Sequence, residues 1–307
     1  MTRQWSSEAA DVTVARAGER VVPAAPPRGA VLACLEVEGR LHQVTVRGPE
    51  GYILRIPGYA DFEIAPQLDR VTLCTHPDTS EELLGLLFIG PLSAVLLELR
   101  DQLVLHASAV SWGLSTIAIC ARSGGGKSTI AGLLCAAGGK LHTDDLLRVT
   151  SGPGRVALAW RGAGELRLRE HAREVVSLFP DPVSRETADG RVALTASVTD
   201  DDPSTLRAIA IPHLARGGPS RIVVERIGAV DAMLELASRP RLHGWCDPDV
   251  LRRQFERLAR LTEQVPIVRL TVPWNDRFGP SFASSLASAC RQDFASLEPG
   301  GRSVSAV

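Results

Sequence analysis

The residues best suited to chemistry are concentrated in positions 123–129, which read Ser-Gly-Gly-Gly-Lys-Ser-Thr. Three successive glycines let the backbone curl so that its N–H groups point into a concavity that side chains would fill. We call this segment the glycine loop. The strand-like run TIAICA precedes it, and a helical pattern follows it. Because a helix that begins here adds its positive end, the pattern predicts a cradle for the phosphate groups of a nucleotide.

Every residue of the glycine loop is a candidate nucleotide ligand: Ser123, Gly124, Gly125, Gly126, Lys127, Ser128 and Thr129. Lys127 supplies a positive charge for the β- and γ-phosphates, and the Ser128 hydroxyl can ligate Mg²⁺. The P-loop pattern G-x-x-x-x-G-K-S/T is met except at its first position, where Ala121 replaces glycine. Because alanine adds only a methyl group, we expect ATP binding to be retained.

A second candidate group follows the helix, where the strand-like run KLHT ends at Asp144 and Asp145. The carboxyl ends of strands are where α/β sheets present their ligands. In phosphoryl transfer, one carboxylate can hold Mg²⁺ while the other accepts the proton of an attacking hydroxyl. We expect Asp144 to be the metal ligand and Asp145 the proton acceptor, an order that sequence alone leaves open. Adjacent aspartates that merely cap a turn are the alternative interpretation.

The elements that must position these residues belong to a predicted catalytic domain over residues 101–295. Strand-like runs and helical patterns are interspersed along this domain, which indicates an α/β fold. A late helix is predicted over 248–263. Its apolar stripe at helical spacing is expected to face the core: Leu251, Phe255, Leu258 and Thr262.

The first third of the chain has a different residue pattern. Five short aliphatic runs, the first three of them closed by glycine, predict a small antiparallel β unit over residues 31–76. A helical link over 80–100 completes this predicted β-rich unit, which extends over 31–100. Residues 1–30 end in a Pro/Ala/Gly-rich stretch and are predicted to be a flexible lead-in, and 296–307 to be a loose tail.

Composition argues against several classes of function. The 307 residues carry 34 Lys and Arg against 35 Asp and Glu, a balance that argues against nucleic acid or an anionic membrane as the main partner. The six cysteines form no CxxC pair and no His-flanked cluster, so neither a disulfide framework nor a zinc site is predicted. The sequence shows no signal-peptide core and no uninterrupted apolar run of membrane-spanning length, so we expect a cytoplasmic protein without a membrane role.

Three segments together resemble the catalytic core of the HPr kinase/phosphorylase superfamily: LVLHASAV, ARSGGGKST and KLHTDDLLRV. The fold of that core also resembles the nucleotide-binding part of phosphoenolpyruvate carboxykinase. The resemblance covers about residues 101–150 and implies a P-loop kinase core that uses ATP and Mg²⁺. Its implied reaction is phosphorylation of a serine or another hydroxyl on a protein or peptide. Within the superfamily, the chain looks more like the branch that modifies ribosomal precursor peptides than like the bifunctional enzyme that acts on HPr.

The resemblance also implies roles for single residues. The expected catalytic residues are His106, Lys127, Asp144 and Asp145. The expected metal ligands are Ser128, Asp144 and Glu165, the last through the likeness of WRGAGELRL to a later family motif. Two alternatives stay open, namely a solvated strand edge for Glu165 and a core histidine for His106. The segment DGRVAL gives Arg191 a phosphate or substrate role in the same way.

Other functions fit the same loop. A small-molecule kinase of the same superfamily differs only in its acceptor, for which no sequence pattern exists. A P-loop ATPase or a nucleotide-dependent binding protein is a further alternative, motivated by Ala121 and by the weak later motif. A transporter ATPase is disfavoured because the chain has no LSGGQ-type signature. Formation of a homo-oligomer is left open.

Overall fold

The computed structural model describes three parts of the chain: residues 12–216, 221–274 and 278–295. The predicted tail over 296–307 and the first eleven residues of the predicted lead-in lie outside the described residues.

The chain divides into two compact units. Of the described residues, the first takes in those up to Gln102 together with Leu242–Gln254. The second takes in the described residues of Leu103–Arg241 together with those from Phe255 on. Leu242–Gln254, which the sequence places inside the predicted catalytic domain, is thus part of the first unit.

The first unit is built on six strands: β1 (Thr13–Glu19), β2 (Ala30–Val37), β3 (Arg40–Gly48), β4 (Gly51–Ile56), β5 (Ala60–Ile64) and β6 (Arg70–Thr75). They form one sheet in the order β1-β6-β5-β4-β3-β2, antiparallel throughout except where β1 pairs parallel with β6. Leu54, Phe62 and Leu73 are register partners across β4, β5 and β6, and all three are buried. The short aliphatic runs therefore form the antiparallel strands that the sequence predicts over 31–76.

The helical link is an interrupted helix. It consists of α1 (Glu81–Leu87), a π-helical turn over Phe88–Leu92 and α2 (Ser93–Leu99). The Ser80 side chain caps α1 by accepting a hydrogen bond from the Leu83 N–H. By length and composition alone Glu81–Leu99 qualifies as a membrane span, but a buried helix of a soluble protein meets the same criterion, so this is weak evidence for a span.

Residues 13–19 differ from the predicted lead-in over 1–30 because they form β1. This strand lies at the edge of its sheet with almost every residue exposed, so it lacks the apolar alternation that marks a strand in a sequence. Parallel backbone pairing with β6 holds it in place. At the other edge of the sheet, Trp245 forms a β-bridge with Ala33 of β2.

The strands of the second unit are, in chain order, β7 (Leu103–Leu105), β8 (Ala107–Trp112), β9 (Ser115–Cys120), β10 (Lys140–Thr143), β11 (Leu147–Ser151), β12 (Ala157–Trp160), β13 (Glu165–Leu168), β14 (Ser184–Glu186), β15 (Val192–Thr195), β16 (Ser204–Ala215), β17 (Val223–Arg226) and β18 (Ile267–Pro273). Nine of them form a mixed sheet in the order β10-β8-β9-β16-β12-β11-β7, with β18 also paired to β16, and β17 to β18. A separate small antiparallel sheet has the order β13-β15-β14.

The described chain has four further α-helices, α3 (Lys127–Ala136), α4 (Ala229–Ala237), α5 (Pro248–Gln264) and α6 (Pro280–Ala295), and two 3₁₀ helices, Pro153–Arg155 and Glu170–Leu178. The apolar residues Ile130, Leu133 and Leu134 of α3 are fully buried in the core that the large sheet shares with α6 and the small sheet. Packing of this helix therefore fixes the glycine loop that precedes it. The second unit is a mixed α/β structure, as the sequence predicts.

The helix α5 forms where the sequence predicts it, but its predicted apolar stripe is wrong at Leu251 and Phe255 and right at Leu258, which packs against the core. Leu251 is 44% exposed and Phe255 is 61% exposed, whereas Val250 and Leu261 are buried. The helix carries apolar residues on more than one face, and packing selects the face that includes Val250, Leu258 and Leu261. Spacing alone does not distinguish these faces.

Candidate functional site

The glycine loop connects β9 to α3, as predicted, and its glycines are required by its shape. Gly124 and Gly126 have φ values of +80° and +86°, in the left-handed region that favours glycine. Gly125 is required for space, since a Cβ there would lie 2.8 Å from the Cβ of Ala121. A side chain at any of these three positions would therefore strain or reshape the loop.

Ala121, the departure from the P-loop pattern, is buried at the start of the turn. The turn closes through a hydrogen bond of 2.9 Å from the Gly125 N–H to the Arg122 carbonyl oxygen. The Ala121 methyl occupies the space next to the Gly125 Cα, so the two positions depend on each other. The alanine is compatible with a closed loop as long as residue 125 is glycine.

Lys127 is the first residue of α3 and is almost entirely buried, with 7% of the residue exposed. Burial lowers the pKa of its ammonium group, and the negative charges of Asp145 and Asp144 oppose that shift. Lys127 lines a cavity that the glycine loop also lines. A buried cation beside a glycine loop at the start of a helix is suited to a polyanion such as a phosphate chain.

Asp144 follows β10 and is the most heavily hydrogen-bonded carboxylate of the site. Ser128 Oγ lies 2.9 and 3.0 Å from its two oxygens, Ser108 Oγ lies 2.5 Å from Oδ1, and the Arg167 N–H donates to Oδ2 at 2.8 Å. The residue is buried. Burial raises the pKa of Asp144, and these hydrogen bonds oppose the rise. Its carboxylate therefore joins α3, β8 and β13 at one point.

Asp145 is held in a different way. Its backbone has a φ of +71°, unusual for a residue other than glycine. His106 Nε2 lies 2.9 Å from Oδ1, and a guanidinium nitrogen of Arg241 lies 2.9 Å from Oδ2. Burial alone would raise the pKa of Asp145, but the His106 hydrogen bond and the charge of Arg241 outweigh it and hold that pKa well below its ordinary value. Asp145 is thus a fixed negative charge in the cavity.

His106 lies between β7 and β8 and lines the same cavity. Burial lowers the pKa of its imidazole, and the hydrogen bond and the negative charge of Asp145 oppose that shift. Because the ionised carboxylate of Asp145 only accepts hydrogen bonds, Nε2 of His106 is the donor in this pair. The ring is therefore oriented by Asp145 and leaves Nδ1 for another partner.

The small sheet and the residues that follow β13 add positive charge to the cavity. Arg167, Arg169 and His171 alternate along β13 and its continuation, and Arg191 precedes β15. Asp189 pairs with both Arg167 and Arg191, whereas a guanidinium nitrogen of Arg169 lies 2.7 Å from Ser123 Oγ. Of these four residues, only Arg191 is predicted from the sequence. The alternation of basic residues in RLREH is the signal that could have found the others.

The cavity brings most of the predicted residues together, and its lining is His106, Ser123, Gly124, Gly126, Lys127, Ser128, Thr129, Asp145, Arg167, Arg169, His171 and Arg191. Asp144 is not part of this lining, but it contacts the lining residue Ser128, whose Oγ lies 2.9 Å from its Oδ1. Glu165 is not brought into this group, because it pairs with Arg185 at 2.9 Å on the small sheet. Arg241, which no local pattern marks, joins the site through Asp145.

The donor set fits a cation that takes few of its ligands from protein. Among the described residues, no cluster of three or more His, Cys, Asp or Glu side chains is arranged to enclose a metal ion. Ser128 and Asp144 instead offer a hydroxyl and a carboxylate at one point. Mg²⁺ is commonly held by one or two such oxygens and completes its shell with water and substrate phosphates.

Comparison with known proteins gives a distant structural relationship. No protein-family model matches the sequence, and no curated protein matches it. Among solved structures, the chain is similar to the Hpr(Ser) kinase/phosphatase from Coxiella burnetii, with 11% sequence identity and a TM-score of 0.34. The alignment covers 62% of this chain and 92% of that chain.

Proposed function

We propose that the chain is an ATP- and Mg²⁺-dependent phosphotransferase that moves the γ-phosphate of ATP to a hydroxyl group, foremost a serine, of a protein or peptide. One observation carries the proposal. The glycine loop, the buried ammonium group of Lys127 and the ionised carboxylate of Asp145 line a single cavity, with Ser128 and Asp144 joined at its edge. Such an arrangement supplies both the donor side and the acceptor side of a phosphoryl transfer.

On the donor side, the backbone N–H groups of the glycine loop, other than that of Gly125, and the Lys127 ammonium would bind the phosphate chain. The helix α3 begins at Lys127 with no side-chain cap, so its first N–H groups would be available to the same phosphates. Ser128 and Asp144 would hold Mg²⁺, which when bound neutralises charge on the phosphate oxygens. The three hydrogen-bonding partners of Asp144 keep its carboxylate in one orientation.

On the acceptor side, Asp145 would accept the hydrogen bond of the substrate hydroxyl and take its proton as the phosphoryl group arrives. Its low pKa makes it a weak base. Phosphoryl transfer through a loose transition state does not require a strong base, because little proton transfer is needed before the new bond forms. Its rate depends mainly on the alignment of the reacting groups and on neutralisation of the phosphate charge. His106 and Arg241 would keep the carboxylate in place for that purpose.

The experiment is transfer of label from γ-labelled ATP with Mg²⁺, offered in parallel to serine-containing peptides and to small hydroxyl compounds. Labelled peptide supports the proposal. Labelled small molecule supports the alternative small-molecule kinase, free phosphate alone supports an ATPase, and unlabelled products with intact nucleotide binding support a nucleotide-dependent binding protein.

The sequence contains two lysines, which provide a matched control. Lys127→Ala should abolish transfer because it removes the buried cation. Lys140→Ala removes a half-exposed lysine that pairs with Asp200, and it should leave transfer unchanged. Wild-type phosphorylation by Lys127→Ala would reject the proposed site.

A further inference from the structure

Arg169 contacts the glycine loop from the segment after β13, whereas the other candidate nucleotide ligands belong to the loop itself. It follows β13, and its guanidinium donates a hydrogen bond of 2.7 Å to Ser123 Oγ at the start of the loop. A Cβ at Gly124 would lie 3.9 Å from a terminal nitrogen of the same guanidinium. The positive charge of Arg169 is therefore in contact with the first residues of the loop, while Lys127 lies at its end.

The other arginines of the site, two in the cavity lining and Arg241 behind Asp145, are already paired with carboxylates. Arg167 and Arg191 share Asp189, and Arg241 pairs with Asp145. For Arg169, in contrast, no carboxylate of the described residues lies within ion-pair distance, and its guanidinium donates to the neutral hydroxyl of Ser123. A guanidinium exposed in a cavity next to a phosphate cradle is suited to pairing with an anion that the protein itself does not supply.

We propose that Arg169 is a catalytic residue that binds the outermost phosphate of the nucleotide. This inference rests on the proposed function. The outermost phosphate is the one that must lie between the glycine loop and Asp145, and Arg169 lines the cavity with both. Its planar fork donates two parallel hydrogen bonds to phosphate oxygens, whereas Lys127 contributes a point charge.

The role is electrostatic and leaves the chemical balance of the reaction unchanged. The bond between the γ-phosphorus and the ADP oxygen breaks, the bond to the acceptor oxygen forms, and the hydroxyl proton passes to Asp145. Arg169 stays protonated throughout, because a guanidinium does not lose its proton in proteins. It would stabilise the charge spread over the phosphoryl oxygens during transfer.

The test compares Arg169→Ala and Arg169→Lys with Arg173→Ala. Arg173 is a nearby surface arginine that pairs with Glu186 at 2.7 Å and lies outside the cavity lining. Calorimetry measures the Kd of each full-length variant for MgATP and MgADP, and label transfer measures the rate. We expect Arg169→Ala to bind MgATP about tenfold more weakly and MgADP with a smaller loss. The rate should fall by about tenfold to a hundredfold, Arg169→Lys should recover part of both, and Arg173→Ala should match the wild type.

The outcomes separate this inference from the proposed function. Equal MgATP affinity and rate in Arg169→Ala and the wild type would overturn the inference while the proposed function stands. Equal losses in Arg169→Ala and Arg173→Ala would also overturn it, because they would show a general effect of surface charge. Absence of MgATP binding by the wild type would overturn the proposed function and the inference together.

Discussion

The Ser128 hydroxyl lies 2.9 and 3.0 Å from the two carboxylate oxygens of Asp144. The first turn of α3 and the end of β10 thus meet through a pair of oxygen-bearing side chains, one residue after the buried lysine of the glycine loop. This contact places a hydroxyl and a carboxylate where a hard cation would accompany a phosphate chain.

Replacement of Ser128 by alanine should raise the Mg²⁺ requirement. Ser128→Ala removes one of the two proposed oxygen ligands, so the Mg²⁺ concentration for half-maximal label transfer should rise about tenfold. The measurement is a Mg²⁺ titration at fixed ATP. Ser177→Ala, which removes a surface hydroxyl that bonds the Glu174 carbonyl, is the control and should titrate like the wild type. An unchanged Mg²⁺ requirement in Ser128→Ala would remove Ser128 from the metal site.

A methyl group at residue 125 should damage the glycine loop. Gly125→Ala would place its Cβ 2.8 Å from that of Ala121 and 3.0 Å from the Arg122 carbonyl oxygen, so we expect a loss of about 1–3 kcal/mol in the free energy of unfolding and weaker MgATP binding. The double variant Ala121→Gly/Gly125→Ala should recover part of both, because one of the two clashes is removed. Urea denaturation and calorimetry measure these changes.

The control for that substitution is Gly85→Ala. Gly85 lies in α1, and a Cβ there meets nothing within 4 Å. It should leave nucleotide binding unchanged and stabilise the helix slightly. If Gly125→Ala is also harmless, the described geometry of the loop is wrong.

Arg241 should matter to the reaction through Asp145. Arg241→Ala takes away one of the two partners of that carboxylate, so we expect the rate of label transfer to fall by about tenfold to a hundredfold and millimolar guanidinium ion to restore part of it. Arg239 is a closely matched control, since its side chain is 16% exposed against 15% for Arg241 and pairs with Glu235 instead. Equal losses in the two variants, or no rescue by guanidinium, would show that Arg241 acts only on stability.

The ionised state of Asp145 should make a pH-dependent contribution to stability. Its folded-state pKa is held below the unfolded value of about 3.9, so the stabilisation is fully present above that value and is lost as the pH falls through the folded-state pKa. Asp145→Asn should therefore unfold more easily than the wild type by about 2 kcal/mol at pH 7, and the gap should narrow below about pH 4.

Urea denaturation at several pH values between 3 and 7 measures that gap. Asp200→Asn, which changes an exposed carboxylate paired with Lys140, should show little difference from the wild type at any of these pH values. A gap for Asp145→Asn that stays constant over the whole range would contradict the low pKa of this residue.

The local parts of the site are the parts that sequence can predict. Glycines and a lysine between a strand and a helix determine the backbone shape by themselves, and Asp144 and Asp145 follow the next strand within a few residues of α3. Short-range geometry therefore places these groups without knowledge of the fold.

Residues brought in by long-range packing are not predictable in this way. Arg241 lies far along the chain from Asp145, and no local spacing connects the two. Glu165 is the opposite example, a residue that a local motif suggests for the site but that long-range packing places elsewhere. Its motif suggests a metal ligand, whereas on the small sheet it pairs with Arg185. The edge strand β1 and the face of α5 that is buried also depend on packing partners that the local pattern does not reveal.

Calorimetric titration of the full-length protein with MgATP tests nucleotide binding by the glycine loop most directly. We expect saturable binding of one nucleotide per chain, weakened by about a hundredfold or more in Lys127→Ala and unchanged in Lys140→Ala. Absence of binding by the wild type, or equal binding by all three proteins, would contradict the central claim that the glycine loop and its buried lysine hold a nucleotide.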